Sequence, residues 1–328
     1  MSQIGETGAP PRRAPASGRR YATRLGAVVT SGLYRGTIGA LVASPRRRLF
    51  LLTALPLLWI ATFNIGPLVQ MLRISFYESY PIVTDEPVWT LQNYALFFTE
   101  PIYLTPFLRT LIFSTLVTAT ALLIVYPVAY FLAKIVPPER RVLALLLLLV
   151  PFWAGEVIRT FSVIMLLANR GAVNMVLREL GLIERPIPML YTYFSIGFGV
   201  VYLLALYMLL PLYAAIEKIP RHLIDAAADL GAGPFTRFRR VVLPLSRDGI
   251  VAGCSLVFLT CVGVFAAPML LGGPNTVMFP QTIASFFHGA SDKWPTGAAF
   301  AMIMFVAALT SVGLFMKIVG GRGTRLIA

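Results

Sequence analysis

Acidic residues are scarce in this chain, 14 Asp and Glu against 28 Lys and Arg in 328 residues, and charged residues of both signs make up only 13%. Soluble globular domains carry near 25%, so a water-soluble globule is excluded. A hydrophobic content of 57% points instead to a chain that crosses a membrane several times. Cysteine is nearly absent. Cys254 and Cys261 lie seven apart on one expected helix, about 10 Å at ~1.5 Å per residue, too far to bridge, and core packing is their expected role. There are two histidines, His222 and His288, with no His-Glu-x-x-His and no Cys/His metal spacing. No Gly-Lys dipeptide occurs, so the lysine of a phosphate-gripping loop is missing and this chain is not expected to hydrolyse nucleotide. With no nucleophile–base pair either, an enzyme is not expected, nor a cofactor or metal on this chain.

Long apolar runs are abundant. Six meet the ~20-residue requirement for a membrane span: Leu49–Leu72, Thr110–Ala133, Val142–Ala168, Leu190–Ile216, Gly249–Leu271 and Gly297–Met316. The third holds Glu156 and Arg159, each costing roughly 2.5–3.5 kcal/mol at a helix centre, against a return of about 0.3–0.6 from each strongly apolar residue. Sixteen Leu, Ile, Val and Phe in that run bring the sum near balance. The fold class is therefore an all-α polytopic membrane protein with six transmembrane helices. Residues 1–48 form a basic cytoplasmic tail with nine arginines against one acid, Glu6, its first part too poor in apolar residues to fold and 25–44 interfacial or loose. Residues 49–318 are the transmembrane domain and 319–328 a cytoplasmic tail. With both termini inside, 21 of the 28 Lys and Arg fall on the inner side, which orients the chain and accounts for the net charge of +14 without nucleic acid.

The most informative stretch is polar and short, Ile219 to Pro244. Pro220 tolerates a first helical position. Leu223, Ala226, Ala227 and Leu230 fall on one helical stripe, and Gly231 can take the left-handed conformation that ends a helix. Pro234 then opens a second helix through Arg240, and Pro244 stops it. Small residues at 226–228 permit close approach by another surface, so a docking knob is expected. The alternatives are a generic amphipathic loop or, against the flanking apolar spans, a helix-turn-helix.

Asp225-Ala226-Ala227, Gly231, Val241 and Leu243-Pro244 resemble the signature E-A-A-x3-G-x9-I-x-L-P of binding-protein-dependent ABC importer permeases. Asp225 stands for the usual Glu and Val241 for the usual Ile. The resemblance covers roughly residues 50–318 and implies a type I importer permease fold, with this loop as a cytoplasmic coupling helix seated in a cleft of an ATPase subunit. Asp225, Ala226, Ala227, Asp229, Gly231, Val241, Leu243 and Pro244 are the implied coupling residues. The implied partners are ATP-binding ABC subunits carrying ATP and Mg, a second homologous permease, an extracytoplasmic substrate-binding protein and the lipid bilayer, in a bacterial inner membrane.

Asn93-Tyr94, Thr110-Leu111, P-F-W-A-G-E-V-I-R-T at 151–160 and Y-A-A-I-E-K-I at 213–219 resemble the spermidine/putrescine permeases, which implies a polyamine or related organic cation; opines or amino-acid derivatives are the alternative. Ionisable residues inside a membrane mark function by default. Glu156 is expected beside the path of a cation, with Arg159 nearby and Phe152 and Trp153 offering ring faces. The competing reading is a Glu156–Arg159 ion pair, three apart on one helix face. Trp89, Tyr94, Phe97, Phe98 and Tyr103 are expected at headgroup level. A transporter working without ATP is the remaining alternative, against which stands the lack of an inverted repeat.

Overall fold

Proline sets the shape of this chain. The computed structural model describes residues 45–80, 88–288 and 293–320, and among them the secondary structure is helical apart from one isolated bridge, Tyr77 to Trp89. The expectations for 1–44 and 321–328 lie outside the described residues. The chain divides into two units, Met1–Gln70 and Met71–Ala328. The first contains α1 (Pro45–Ile60), which passes through a five-residue π turn, Ala61–Ile65, into α2 (Gly66–Ile74).

That π turn has two counterparts in the second unit. One, Phe131–Ile135, ends α4 (Pro101–Tyr130), and the other, Phe238–Val242, follows α10 (Pro234–Arg237). Each π turn stops two residues before a proline: Pro67, Pro137 and Pro244. Proline lacks the N–H for the i→i−4 bond, and its ring crowds that carbonyl. A π turn shifts the ladder by one residue, so the residue before each proline bonds five back: Gly66 to Ala61, Val136 to Phe131, Leu243 to Phe238. Here the expectation that Pro244 ends the second loop helix is corrected. The widened turn absorbs the proline, and the chain stays helical through α11 (Leu243–Leu245).

Elsewhere proline interrupts. The expected third span, Val142–Ala168, is two helices, α5 (Pro138–Leu149) and α6 (Glu156–Leu167), separated by a 3-10 turn at Val150–Trp153. Pro151 removes a donor there, and Gly155 is extended at φ −58°, ψ 156° as the cap of α6. The fifth, Gly249–Leu271, likewise breaks between α12 (Arg247–Val262) and α13 (Ala266–Leu271), where Pro268 leaves the Val264 carbonyl without its helical donor. Among the described residues, five segments are long and apolar enough to cross a membrane: Leu52–Ile74, Pro101–Ile135, Glu156–Glu179, Tyr193–Glu217 and Trp294–Gly320. The pair Pro234–Leu245 and Arg247–Val262, bent by 68°, makes a sixth when taken as one.

The second unit is built around α8 (Tyr193–Glu217), which packs on α4, α6 and α12. Its stripe Ile196, Val200, Leu203, Met208, Leu212 and Ile216 is fully buried, with both cysteines in the same core. Lipid is as apolar as leucine, so helices in a membrane are held by close packing. Gly249 and Gly253 of α12 supply it: a β-carbon on Gly249 would meet Ala215 and the Pro211 carbonyl, and one on Gly253 the Met208 sulfur.

Aromatic rings close one end of the bundle. Phe97 of α3 (Gln92–Thr99), Phe107, Phe279 of α14 (Phe279–His288) and Phe300 of α15 (Trp294–Gly320) pack edge-on or stacked at 5.1–5.8 Å. Phe97 is therefore a core residue, while Trp89 and Phe98 are exposed. Asn93 ties this end together. It donates to the Ser75 and Tyr77 carbonyls at 3.1 and 2.8 Å and accepts from Thr296 at 3.0 Å. After α6, Asn174 of α7 (Ala172–Glu179) bridges the Ala168 carbonyl and both backbone groups of Ile187.

Candidate functional site

The loop at 219–244 lies at the opposite end, beside the α4–α5 turn. Its first helix, α9 (Arg221–Asp229), begins after extended Pro220 and ends in a Schellman arrangement. The Gly231 N–H bonds the Ala228 carbonyl at 2.8 Å and the Ala232 N–H bonds that of Ala227 at 3.0 Å. This closure needs a positive φ at Gly231, which is +78°. The second helix, α10, opens at Pro234 as its sequence suggests.

Both feet of the loop are fastened. At the near foot, the Lys134 ammonium donates to the Ile219 carbonyl at 2.6 Å and to that of Glu217 at 3.3 Å. Arg221 returns a bond to the Lys134 carbonyl at 3.2 Å. The Glu217 carboxylate accepts from Tyr213 at 2.8 Å and faces Arg141 at 3.6 Å, the one ion pair among the described residues. Arg141 in turn holds the Val136 carbonyl at 3.0 Å. The α4–α5 turn, the end of α8 and the start of α9 are thus joined by one polar clasp. At the far foot, Phe238 sits edge-on against Tyr126 at 5.3 Å and Tyr130 at 6.5 Å, and the Tyr126 and Ser246 hydroxyls meet at 2.7 Å. Sequence reasoning missed the clasp, because most of its acceptors are backbone carbonyls distant in sequence.

Between the feet the loop is bare. Leu230 is 89% and Phe235 73% exposed, and Leu223, Asp225, Ala226 and Asp229 are also exposed, with Ala227 half-buried. Of the remaining coupling candidates, Gly231, Leu243 and Pro244 are exposed and Val241 is half-buried. An apolar surface that its own chain leaves uncovered, on a short loop anchored at both feet, can transmit force to the bundle when another surface grips it.

The second candidate group does not assemble as one unit. Arg159 is buried and turned away from Glu156: its guanidinium lies over the Phe152 ring at 5.1 Å and donates to the Leu203 carbonyl at 3.3 Å, leaving its Nε unpartnered. The Glu156–Arg159 ion pair is therefore not formed. Phe152, edge-on to Tyr207 at 5.3 Å, spends a ring face on the chain's own arginine. Glu156, in the first turn of α6, is exposed, and Trp153 is 91% exposed.

No protein-family model matches the chain. It is 36% identical over 269 residues to the spermidine/putrescine transport system permease protein PotB of Escherichia coli K12, covering 82% of this chain and 95% of that one. With the protein of the same name from Haemophilus influenzae it is 38% identical over 251 residues, 74% and 84% of the two chains. With the inner membrane ABC transporter permease protein YdcU of E. coli K12 it is 30% identical over 294 residues, 83% and 92%. Two solved structures share its fold at 20% identity. One is a bacterial ABC transporter involved in import of the acidic polysaccharide alginate, at TM-score 0.65 over 86% of this chain and 97% of that one. The other is an alginate ABC transporter in complex with a periplasmic protein bound to an alginate pentasaccharide, at TM-score 0.67 over 83% and 94%.

Proposed function

This chain belongs to the family of ABC importer permeases that includes the spermidine/putrescine transport permeases, and from that we infer how it is driven and what it carries. It is a transport subunit and not an enzyme. Helix α9 is the coupling helix: it docks on an ATP-binding subunit that carries ATP and Mg, and nucleotide-driven closure of that subunit moves it. A second permease of the same family completes the pathway, and a periplasmic binding protein delivers substrate at the aromatic-capped end. Both termini and the 219–244 loop then face the cytoplasm of a bacterial inner membrane, in keeping with the excess of Lys and Arg on that side.

The observation that carries this reading is the loop itself, fixed at Ile219 and Phe238 and uncovered at Leu223, Leu230 and Phe235. Motion imposed on α9 reaches α8 and α4 through those feet. The substrate is a polyamine, by analogy with the spermidine/putrescine transport permeases the chain resembles. Exposed Glu156, with Trp153 beside it, supplies the carboxylate and ring face a cation uses along its path; Arg159 and Phe152 position the break between α5 and α6. The test is Ala227→Pro and Gly231→Val in the reconstituted complex. Proline removes a helical bond and costs about 3 kcal/mol, and a β-branched residue is strained at φ +78°. Both variants should lose co-purification with the ATPase subunit and labelled spermidine uptake. Wild-type assembly and uptake in both would refute the coupling assignment, and uptake of an opine or amino-acid derivative instead of spermidine or putrescine would refute the substrate.

A further inference from the structure

A groove of about 810 Å³ runs between α4 and α8 and is open along one side. It is apolar but not aliphatic throughout. Tyr193, Phe194, Phe198 and Tyr202 of α8 line it, with Phe113 across from them on α4. Phe194 and Phe198 are stacked, 6.1 Å between centroids and 30° between planes, and Tyr202 follows one helical turn on. All four α8 rings are more than 40% exposed. No carboxylate lines the groove, and its one charged lining residue is Arg109.

Arg109 indicates what these rings can hold. Its guanidinium lies over the Tyr193 ring at 5.8 Å, tethered by a 3.1 Å bond to the Val277 carbonyl. The first ring of the series thus already carries a cation, and the next three are free to. Rings i and i+4 on a helix are about 6 Å apart along its axis. An extended chain advances roughly 1.2 Å per bond, so two ammonium groups joined by four methylenes are also about 6 Å apart. A ring face attracts an alkylammonium by its quadrupole without the tight desolvated ion pair a carboxylate makes. Weak, evenly spaced sites are what conduction needs, since a substrate must leave as readily as it enters.

We propose that Phe194, Phe198 and Tyr202 form a ladder of cation–π sites along which an aliphatic polyamine passes, beginning beside the Tyr193 ring that Arg109 already covers. This rests on the polyamine reading above. The competing occupants are a lipid acyl chain and a helix of the partner permease, and the experiment separates them. In proteoliposomes holding the complete transporter, Phe198→Leu/Tyr202→Leu keeps apolar volume and removes two rings. Spermidine uptake per ATP hydrolysed should fall about tenfold, as loss of two exposed cation–π contacts implies, while Phe198→Trp stays near wild type. Phe198→Cys should react with a cationic methanethiosulfonate from water, and spermidine should slow that reaction. Unchanged uptake in the double variant, failure of it to assemble with the second permease, or an unlabelled Phe198→Cys would each overturn the ladder. A wild-type complex that moves no polyamine would overturn the substrate reading, and the ladder with it.

Discussion

Replacing Lys134 by methionine keeps most of the side chain's length and removes its ammonium, which tests whether the polar clasp carries motion from α9 to α4. Two bonds disappear, the 2.6 Å contact with the Ile219 carbonyl and the 3.3 Å contact with that of Glu217. A hydrogen bond to a charged group contributes about 1.5–3 kcal/mol. Lys134 is only half-buried, so water replaces part of the loss and the lower end, about 1.5 kcal/mol, applies, roughly a factor of ten in an equilibrium. The bond from Arg221 goes to the backbone carbonyl of Lys134 and survives the change, so the near foot loosens without detaching. ATP hydrolysis by the partner should therefore persist while transport follows it less often. The assay is labelled spermidine accumulated per ATP hydrolysed in proteoliposomes. The expected result is a roughly tenfold lower ratio for Lys134→Met, co-purification with the ATPase unaltered, and recovery in Lys134→Arg. An unchanged ratio in Lys134→Met would refute the reasoning, and so would an Arg variant as defective as the Met one, because the positive donor would then be irrelevant.

Two further outcomes follow from single sites. Glu156→Gln should lower uptake at limiting substrate several-fold with assembly intact, because the exposed carboxylate has no arginine partner to lose; unchanged uptake would remove Glu156 from the pathway. Gly249→Val should lower the midpoint of thermal unfolding in detergent, since its β-carbon would collide with Ala215 and the Pro211 carbonyl and overpacking costs about 1–3 kcal/mol. Gly313→Val, inside α15 where nothing lies within 4 Å, is the matched control and should not lower the midpoint, since it meets no neighbour and replaces a helix-destabilising glycine.

What could be read from the residues alone divides along a physical line. Gly231 ends α9 in a left-handed turn and Pro234 opens α10, because these depend on the covalent geometry of one residue. The spans at Tyr193–Glu217 and Trp294–Gly320 follow from apolar length. Reading failed where a proline's effect depends on the turn around it. Pro151 breaks a run that a sum of sixteen apolar residues had balanced, whereas Pro244 breaks nothing because a π turn precedes it. The ion pair expected of Glu156 and Arg159 failed for a related reason. Three-residue spacing places two side chains on one face, but Arg159 found a ring and a carbonyl on other elements. The clasp was unreadable because Lys134 binds carbonyls 83 and 85 positions away, and a carbonyl is offered by every residue alike. Its legible trace is indirect: Pro137, like Pro67 and Pro244, stands two residues beyond a π turn. That turn lies where α4 ends, and Lys134, the donor of the clasp, is the fourth of its five residues. The same backbone chemistry that spares these helices from their prolines therefore sets the position from which α4 holds the 219–244 loop.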